Sequence, residues 1–240
     1  SETFKAKLFS IISHDLKSPI SSLRSIVELS TEVTLTASQH TFLMNEIKQE
    51  LDTTSNLLNT LLFWSKAQMK SNAIIWSWFT IHAIAARCIS TLQTNIKGKQ
   101  LSIELTLPKE TKIWGDEIRC EFIVRNIVHN AIKYSHFNQK IEIGLQETGE
   151  VIAIYVKDKG KGIPKEKVEK MFVEDYSRKS TKGTNEEQGA GIGLLLCNDF
   201  AESLGWSLQV ESTINEGTTM RILIKKKNTE IRETSSPLSA

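Results

Sequence analysis

A chain of 240 residues is too long for one small core and suits two domains, each of roughly one to two hundred residues or fewer. It has 40% hydrophobic and 24% charged residues, and its 30 Lys and Arg against 28 Asp and Glu leave a net charge of +2, a balance that points away from polyanion binding, so no nucleic acid is expected as a partner. No apolar run is long enough for a bilayer, no signal-peptide core opens the chain, and Cys88, Cys120 and Cys197 stand far apart without a C-x-x-C pair; a cytoplasmic segment with buried, reduced thiols is expected.

The chain starts at Ser1 almost directly inside a helical pattern, which predicts a cut through a longer protein with an input domain upstream. Leu8, Ile12, Leu16, Ile20, Leu23 and Ile26 or Val27 recur every three to four residues, and Leu43, Ile47, Leu51, Leu57, Leu58, Leu61 and Leu62 repeat the pattern. Two long amphipathic helices follow, joined by a turn over Thr31 to Ser38 with Thr36 or Ser38 as the helix cap. At about 1.5 Å rise per residue each helix runs roughly 40 to 50 Å, and two such helices cannot cover their own apolar stripes. Pairing two hairpins into a dimeric four-helix bundle would bury them, so a homodimer is expected.

Near Ser71 to Trp76 the texture changes. None of the twelve glycines precedes Gly98, and ten fall between Gly144 and Gly217. Strand-like runs at Trp76 to Thr80, Leu101 to Leu105, Ile141 to Leu145, Val151 to Val156, Leu208 to Val210 and Met220 to Ile224 alternate with helical stretches at Ile81 to Lys97, Glu117 to Tyr134 and Ile192 to Ser203. The expected fold is an α helical hairpin followed by an α/β two-layer sandwich, a mixed sheet covered by helices on one face. The predicted divisions are 1–72 for the hairpin, 73–227 for the sandwich and 228–240 for a polar tail.

Phe9 to Ile20 sets His14, Asp15, Lys17, Ser18 and Pro19 in one helical stretch. Proline in a helix interior costs about 3 kcal/mol and cannot donate to the carbonyl of Asp15, so the backbone beside His14 should be loosened. A neutral imidazole is a nucleophile when a carboxylate holds its other ring proton, and Asp15 is placed to do so. Lys17 and Ser18, at i+3 and i+4, reach the same region, where a cation and a hydroxyl suit a phosphoryl group. By itself a histidine on a helix is most often just a solvated or partly buried side chain. The stretch nevertheless resembles the H-box of sensor histidine kinases, F-x-x-x-x-S-H-D/E-L/I-R/K-x-P-L/I, at every defining position. That resemblance implies that His14 is the phosphoacceptor and Asp15 its activating acid, and that Ser18 holds the position from which a Thr or Asn orients water in dephosphorylating the partner. Leu61 to Gln68 is similar to the L-L-x-W-S-x-x-Q that closes the second helix in a subset of these kinases.

Downstream, Asn126, Asn130 and Lys133 share one face of the helix after Asp116. Two amides and an ammonium suit Mg²⁺ and phosphate, although such a face can also simply meet water. Asp158, Gly160, Gly162 and Ile163 follow a strand, where a carboxylate can accept from an adenine amino group and glycines admit a flat base. Gly189, Gly191, Gly193 and Leu194 open a helix, where bare N–H groups can cradle phosphate. No G-x-x-x-x-G-K-[ST] loop occurs, and no βαβ unit surrounds the glycines.

In order and spacing these motifs, with Phe172, Tyr176 and Gly217-Thr218-Thr219, resemble the ATP-binding domain shared by histidine kinases, gyrase and certain chaperones, called GHKL-type. The resemblance covers residues 4 to 225. It implies ATP and Mg²⁺ as cofactors, Asn130 on the metal, Asn126 and Lys133 on the phosphates, Tyr134 beside the base, Asp158 reading adenine, Thr218 lining the pocket and a lid over Val173 to Gln188 ordered by ligand. Tyr176, Ala190 and Trp206 depart from the family's Phe, Thr and Gly. The implied function is autophosphorylation on His14 and transfer to an Asp of a response-regulator receiver domain, for which Arg24, Ser25 and Glu28 are surface candidates, with phosphatase activity toward the regulator as a further option. A conformational ATPase clamp using Glu121 as base, a signalling scaffold without catalysis and a Ser/Thr kinase on the same fold remain open as alternatives.

Overall fold

The computed structural model describes Lys17 and residues 19–28, 36–69, 74–172, 184 and 192–230. Helix is present at Lys17 and over residues 19–28, here α1, and includes Pro19, whose side chain is buried. Helix α2 runs Ala37–Met69, thirty-three residues. Of the two caps offered by the sequence, Thr36 is the one used. Its hydroxyl accepts from Gln39 N–H at 3.3 Å, while Gln39 Oε1 accepts from Thr36 N–H at 2.9 Å, a reciprocal capping box that satisfies two donors at the open helix end.

After α2 come β1 (Ser77–Thr80), α3 (Ile81–Thr91), α4 (Gln93–Gly98), β2 (Ser102–Leu105), β3 (Lys112–Gly115), α5 (Glu117–Tyr134), β4 (Lys140–Thr148), β5 (Val151–Asp158), α6 (Lys165–Lys170), α7 (Ile192–Ser203), β6 (Ser207–Thr213) and β7 (Gly217–Lys225). A short 3-10 turn over Lys226–Asn228 leads to β8 (Thr229–Glu230). The single helix expected over Ile81 to Lys97 is two helices, because Leu92 leaves helical geometry at φ −96°, ψ 11° and buries its side chain in the core. The tail expected from Asn228 starts later: pairing with β3 extends the fold to Glu230.

Five strands form the main sheet in the order β2-β4-β5-β7-β6. β2 runs parallel to β4 and the other pairs are antiparallel, the mixed sheet that the alternation of elements implied. Alternate positions face one layer of helices: Ile141 and Ile143 on β4, Ile152, Ile154 and Val156 on β5, and Met220, Ile222 and Ile224 on β7 are all buried. The covering layer is α3, α5 and α7, with α5 central and Phe122, Ile123, Ile127 and Val128 turned inward. On the outer face Gly144 lies under Tyr155, whose ring would be 2.6 Å from any Cβ placed there. A second, antiparallel sheet, β1-β3-β8, was not expected from the sequence. Its β3 abuts the core where Gly115 meets the buried Trp206 ring, the residue that departs from the family's glycine; a Cβ at Gly115 would come within 2.7 Å of it.

The end of α2 rests on this domain. Phe63 stacks on Phe122 of α5 with centroids 4.8 Å apart, Phe200 of α7 meets Phe122 edge-on at 5.1 Å, and the Arg125 guanidinium lies 5.6 Å from the centre of the Phe63 ring. Such aromatic pairs are each worth about 0.5–1.5 kcal/mol beyond the area they bury. Trp64 and Leu57 are buried in the same apolar cluster.

Candidate functional site

The bounds of α5 follow from its caps. Asp116 accepts from Arg119 N–H at 3.1 Å, while its other oxygen accepts from Ile75 N–H at 3.0 Å, so one carboxylate both starts the helix and fastens the strand entering the domain. Along α5, Asn126, Asn130 and Lys133 succeed one another at one-turn spacing beside the α7 N-terminus. Gly193 lies so close that a Cβ there would stand 2.6 Å from Asn126 Oδ1; a side chain at this position would displace the amide. Asn126 Nδ2 donates back to Phe122 carbonyl at 2.8 Å, which holds that oxygen toward Gly193. Asn130 is half-buried and Lys133 is buried.

The end of α5 is bonded to the Asp158 loop. Ser135 bridges Gly160, and Lys161 N–H donates to Tyr134 carbonyl at 3.2 Å. A Cβ at Gly160 would overlap that carbonyl at 2.0 Å, so only glycine allows the approach. Gly162 takes φ +65° and runs equally close to the Thr213 carbonyl. The Asp158 carboxyl is buried, and Oδ1 accepts from Gly160 N–H at 2.9 Å and Thr218 N–H at 3.3 Å. Among the described residues no donor reaches Oδ2, which leaves one oxygen for a ligand N–H. Burial pushes this carboxyl up to about 6, against the opposing pull of the two N–H groups. Thr218 is buried across the strand pair from Asp158, its hydroxyl 2.8 Å from Ser212 Oγ, and the same Ser212 Oγ accepts from Ile163 N–H at 2.8 Å. Two cations lie over the Tyr134 ring, with Lys133 Nζ 5.1 Å and Lys161 Nζ 4.9 Å from its centre.

The structure therefore gathers Asn126, Asn130, Lys133, Tyr134, Asp158, Gly160, Gly162, Ile163, Gly193, Leu194 and Thr218 around the edge shared by α5, α7 and the loop after β5. His14, Asp15, Ser18, Gly189 and Gly191 lie outside the described residues, as does the predicted lid apart from Thr184. Lys17 is described and exposed. Sequence reading missed Lys161 on Tyr134, Ser212 under Thr218 and the approach of Thr184 to α5. A surplus lysine inside D-x-G-x-G was the only hint of the first. The other two join residues distant in sequence and carry no local signal. Among the described residues no three His, Cys, Asp or Glu side chains form a metal cluster. A magnesium ion here would rely on the Asn130 amide and on the ligand's own phosphates, a donor set such an ion accepts.

Residues 4–70 match the family described as His Kinase A (phospho-acceptor) domain, and residues 115–228 match that described as Histidine kinase-, DNA gyrase B-, and HSP90-like ATPase. The chain is 26% identical over 230 residues to the sensor protein kinase GraS of Staphylococcus aureus, covering 94% of this chain and 62% of GraS, so it spans about 62% of the length of that relative. Among solved structures it resembles the Acinetobacter baumannii histidine kinase AdeS (TM-score 0.63, 20% identity, 90% of this chain and 98% of that one). It also resembles the histidine kinase ThkA in complex with the response regulator protein TrrA (TM-score 0.68, 19% identity, 91% of this chain and 61% of that one). None of the described helices is long and apolar enough to cross a membrane. With a phospho-acceptor domain followed by an ATPase domain of this fold, the chain belongs to the sensor histidine kinases.

Proposed function

We propose that the chain binds ATP and Mg²⁺ in the pocket between α5, α7 and the Asp158 loop, phosphorylates its own His14, and passes the phosphoryl group to an Asp of a response-regulator receiver domain. The observation that carries this reading is the half-satisfied Asp158 carboxyl. It is a buried acceptor with one oxygen fixed and the other open, walled by glycines and set beside the Asn126, Asn130 and Lys133 row. Such a group fits the amino edge of a flat base and has no structural need for its second oxygen.

In this mechanism Asp158 and Tyr134 hold the base, while Asn126 and Lys133 hold the phosphates. Mg²⁺ on Asn130 would offset charge as the terminal phosphoryl leaves. One ring nitrogen of His14 attacks the γ-phosphorus, a P–N bond forms as the bond to the bridging oxygen breaks, and ADP departs with that oxygen. The proton on the other ring nitrogen passes to Asp15. Positioning and charge neutralisation supply most of the acceleration. Lys17 is placed to neutralise the new phosphoryl group and Ser18 to orient water for its removal, the basis of a phosphatase activity toward the regulator. The boundaries proposed are 1–72 for the phosphoacceptor hairpin and 73–230 for the catalytic domain, its end set by the pairing of β8 with β3, with the hairpin as the homodimer interface and a sensor domain upstream in a longer, membrane-anchored or cytoplasmic parent. The likeness to ThkA, whose structure is a complex with a response regulator, supports a receiver domain as partner.

A conformational ATPase clamp would need a glutamate base facing the nucleotide. Glu121 is instead paired with Arg87 at 2.9 Å, on the side of α5 away from Asn126 and Asn130. The test is to incubate the chain with γ-labelled ATP and Mg²⁺ and compare retained label after acid and after alkali. Acid-labile, alkali-stable label that is absent from His14→Gln is expected. Acid-stable label, or equal labelling of the variant, would refute it.

A further inference from the structure

Lys99 has no place in the reading so far, yet it sits at the edge of the pocket. It follows α4, is 4% exposed, and sends its ammonium under the last turn of α5. There Nζ donates to the Ile132 carbonyl at 3.1 Å, the Lys133 carbonyl at 2.6 Å and Thr184 Oγ1 at 2.7 Å. The last carbonyls of a helix lack intrahelical donors and lie at the negative end of its dipole, so a cation is favoured there. Burying an ammonium is nonetheless costly, and an apolar side chain of the same length would fill the space at less cost.

Thr184 stands 85 residues beyond Lys99 and meets the same corner. Its N–H donates to the Lys133 carbonyl at 3.1 Å, and its hydroxyl lies within hydrogen-bond reach of the Lys133 and Ser135 carbonyls while accepting from Lys99. Lys99 is itself held, its carbonyl accepting from Asn138 N–H at 3.0 Å. Lys99 and Thr184 thus converge on the backbone of Lys133 to Ser135. This short stretch carries the phosphate-side Lys133 and the base-side Tyr134, and through Ser135 and Gly160 it joins the Asp158 loop. Neither side chain has a described contact with Asp158 or with Asn130.

We propose that Lys99 and Thr184 act together as positioning residues for the nucleotide: by clamping the end of α5 they set Lys133 and Tyr134 in register with Asp158, and so tune ATP affinity without touching the reacting atoms. The proposal rests on the nucleotide-binding reading above. It predicts a defect in affinity and not in turnover, because the groups they orient hold ATP, whereas the attacking group belongs to the hairpin.

The test uses the full chain and a fluorescent ATP analogue, with autophosphorylation rates measured over an ATP titration. Thr184→Val removes the hydroxyl and keeps the shape, losing both the bond from the Lys99 ammonium and the one to the backbone carbonyl, and should raise both the dissociation constant and the KM for ATP about tenfold, the scale set by the charged bond. The rate at saturating ATP should stay within about twofold, and Thr184→Ser should recover the parental KM. Adding Lys99→Met to Thr184→Val should cost less than the sum of the two single changes, the behaviour of a coupled pair. A parental KM in Thr184→Val, or equal loss of affinity and saturated rate without rescue by serine, overturns the proposal and leaves the nucleotide reading intact. A parent that does not take up the analogue at all sinks the nucleotide reading and this inference with it.

Discussion

The hairpin helix α2 and the α/β domain solve the burial of apolar surface in opposite ways. The domain closes on itself: β4, β5 and β7 turn their isoleucines under α3, α5 and α7. Along α2, Met44, Leu51, Leu58 and Leu62 are each more than two-fifths exposed, and the first three recur at seven-residue intervals, so they form one stripe along the helix. Only its end, at Leu57, Phe63 and Trp64, joins the domain's core. One region is therefore a complete core and the other is half of one. On the function proposed above, the domain would hold nucleotide with its own core, while the hairpin would gain stability from what it pairs with.

The sharpest way to break this comparison is a charge in the stripe. Leu51→Glu should weaken association of the hairpin about a hundredfold or more, because each carboxylate would be buried against a second copy. Sedimentation should then show a monomer at concentrations where the parent is a dimer, with the melting of the α/β domain unchanged. A parent that sediments as a monomer would mean that the stripe has another occupant.

A somewhat smaller effect is expected on the domain side. Asp158→Asn should lower ATP affinity about fiftyfold, the scale of losing a charged acceptor in a buried site. The raised carboxyl value gives this a pH signature of two opposite signs. With its folded value near 6 and its ordinary value at 3.8, Asp158 holds its proton more firmly in the folded protein. The stability it contributes to the unliganded domain is therefore full below about 4, falls as pH rises to about 6 and is level above. Nucleotide affinity runs the other way, because with Oδ1 held by two N–H groups the proton falls on Oδ2 and makes it a donor facing the ligand's N–H, and it should drop as pH falls through about 6. Calorimetric titration between pH 5 and 8 measures the second trend and thermal melting the first; both should vanish in Asp158→Asn.

The smallest effect separates the regions once more. Thr36→Ala removes the capping box of α2 and should cost about 1 kcal/mol, read as loss of helicity and faster amide exchange at the start of α2. Nucleotide affinity should be untouched, because that end of α2 is remote from the domain.

Much of the architecture was readable in order along the chain. The bounds of α5 and α7 agree with expectation because a capping aspartate, an apolar period and flanking turn residues all act locally. The break at Leu92, the six-residue α6 and the strands β3 and β8 were not legible, being short and held mainly by partners elsewhere. β3 shows why: Lys112–Gly115 is too brief for a period, and it exists because Trp114 and Trp78 pair across the small sheet and Gly115 leaves room for Trp206. In the site, the motif residues that bear polar atoms on one helix face or in one loop were visible as patterns. The fit of Gly193 against Asn126, the Ser212 hydroxyl shared by Ile163 and Thr218, and the Lys161 cation on Tyr134 were not.

By itself the sequence determined the element types, the family and the side chains available to hold a nucleotide, since helix period, capping and glycine freedom are properties of neighbours along the chain. Which Asp158 oxygen is held and which is open, how far burial raises that carboxyl, and the meeting of Lys99 with Thr184 were decided only by the tertiary fold. Hydrogen-bond geometry and desolvation depend on atoms brought together from distant parts of the chain, and no local pattern records them.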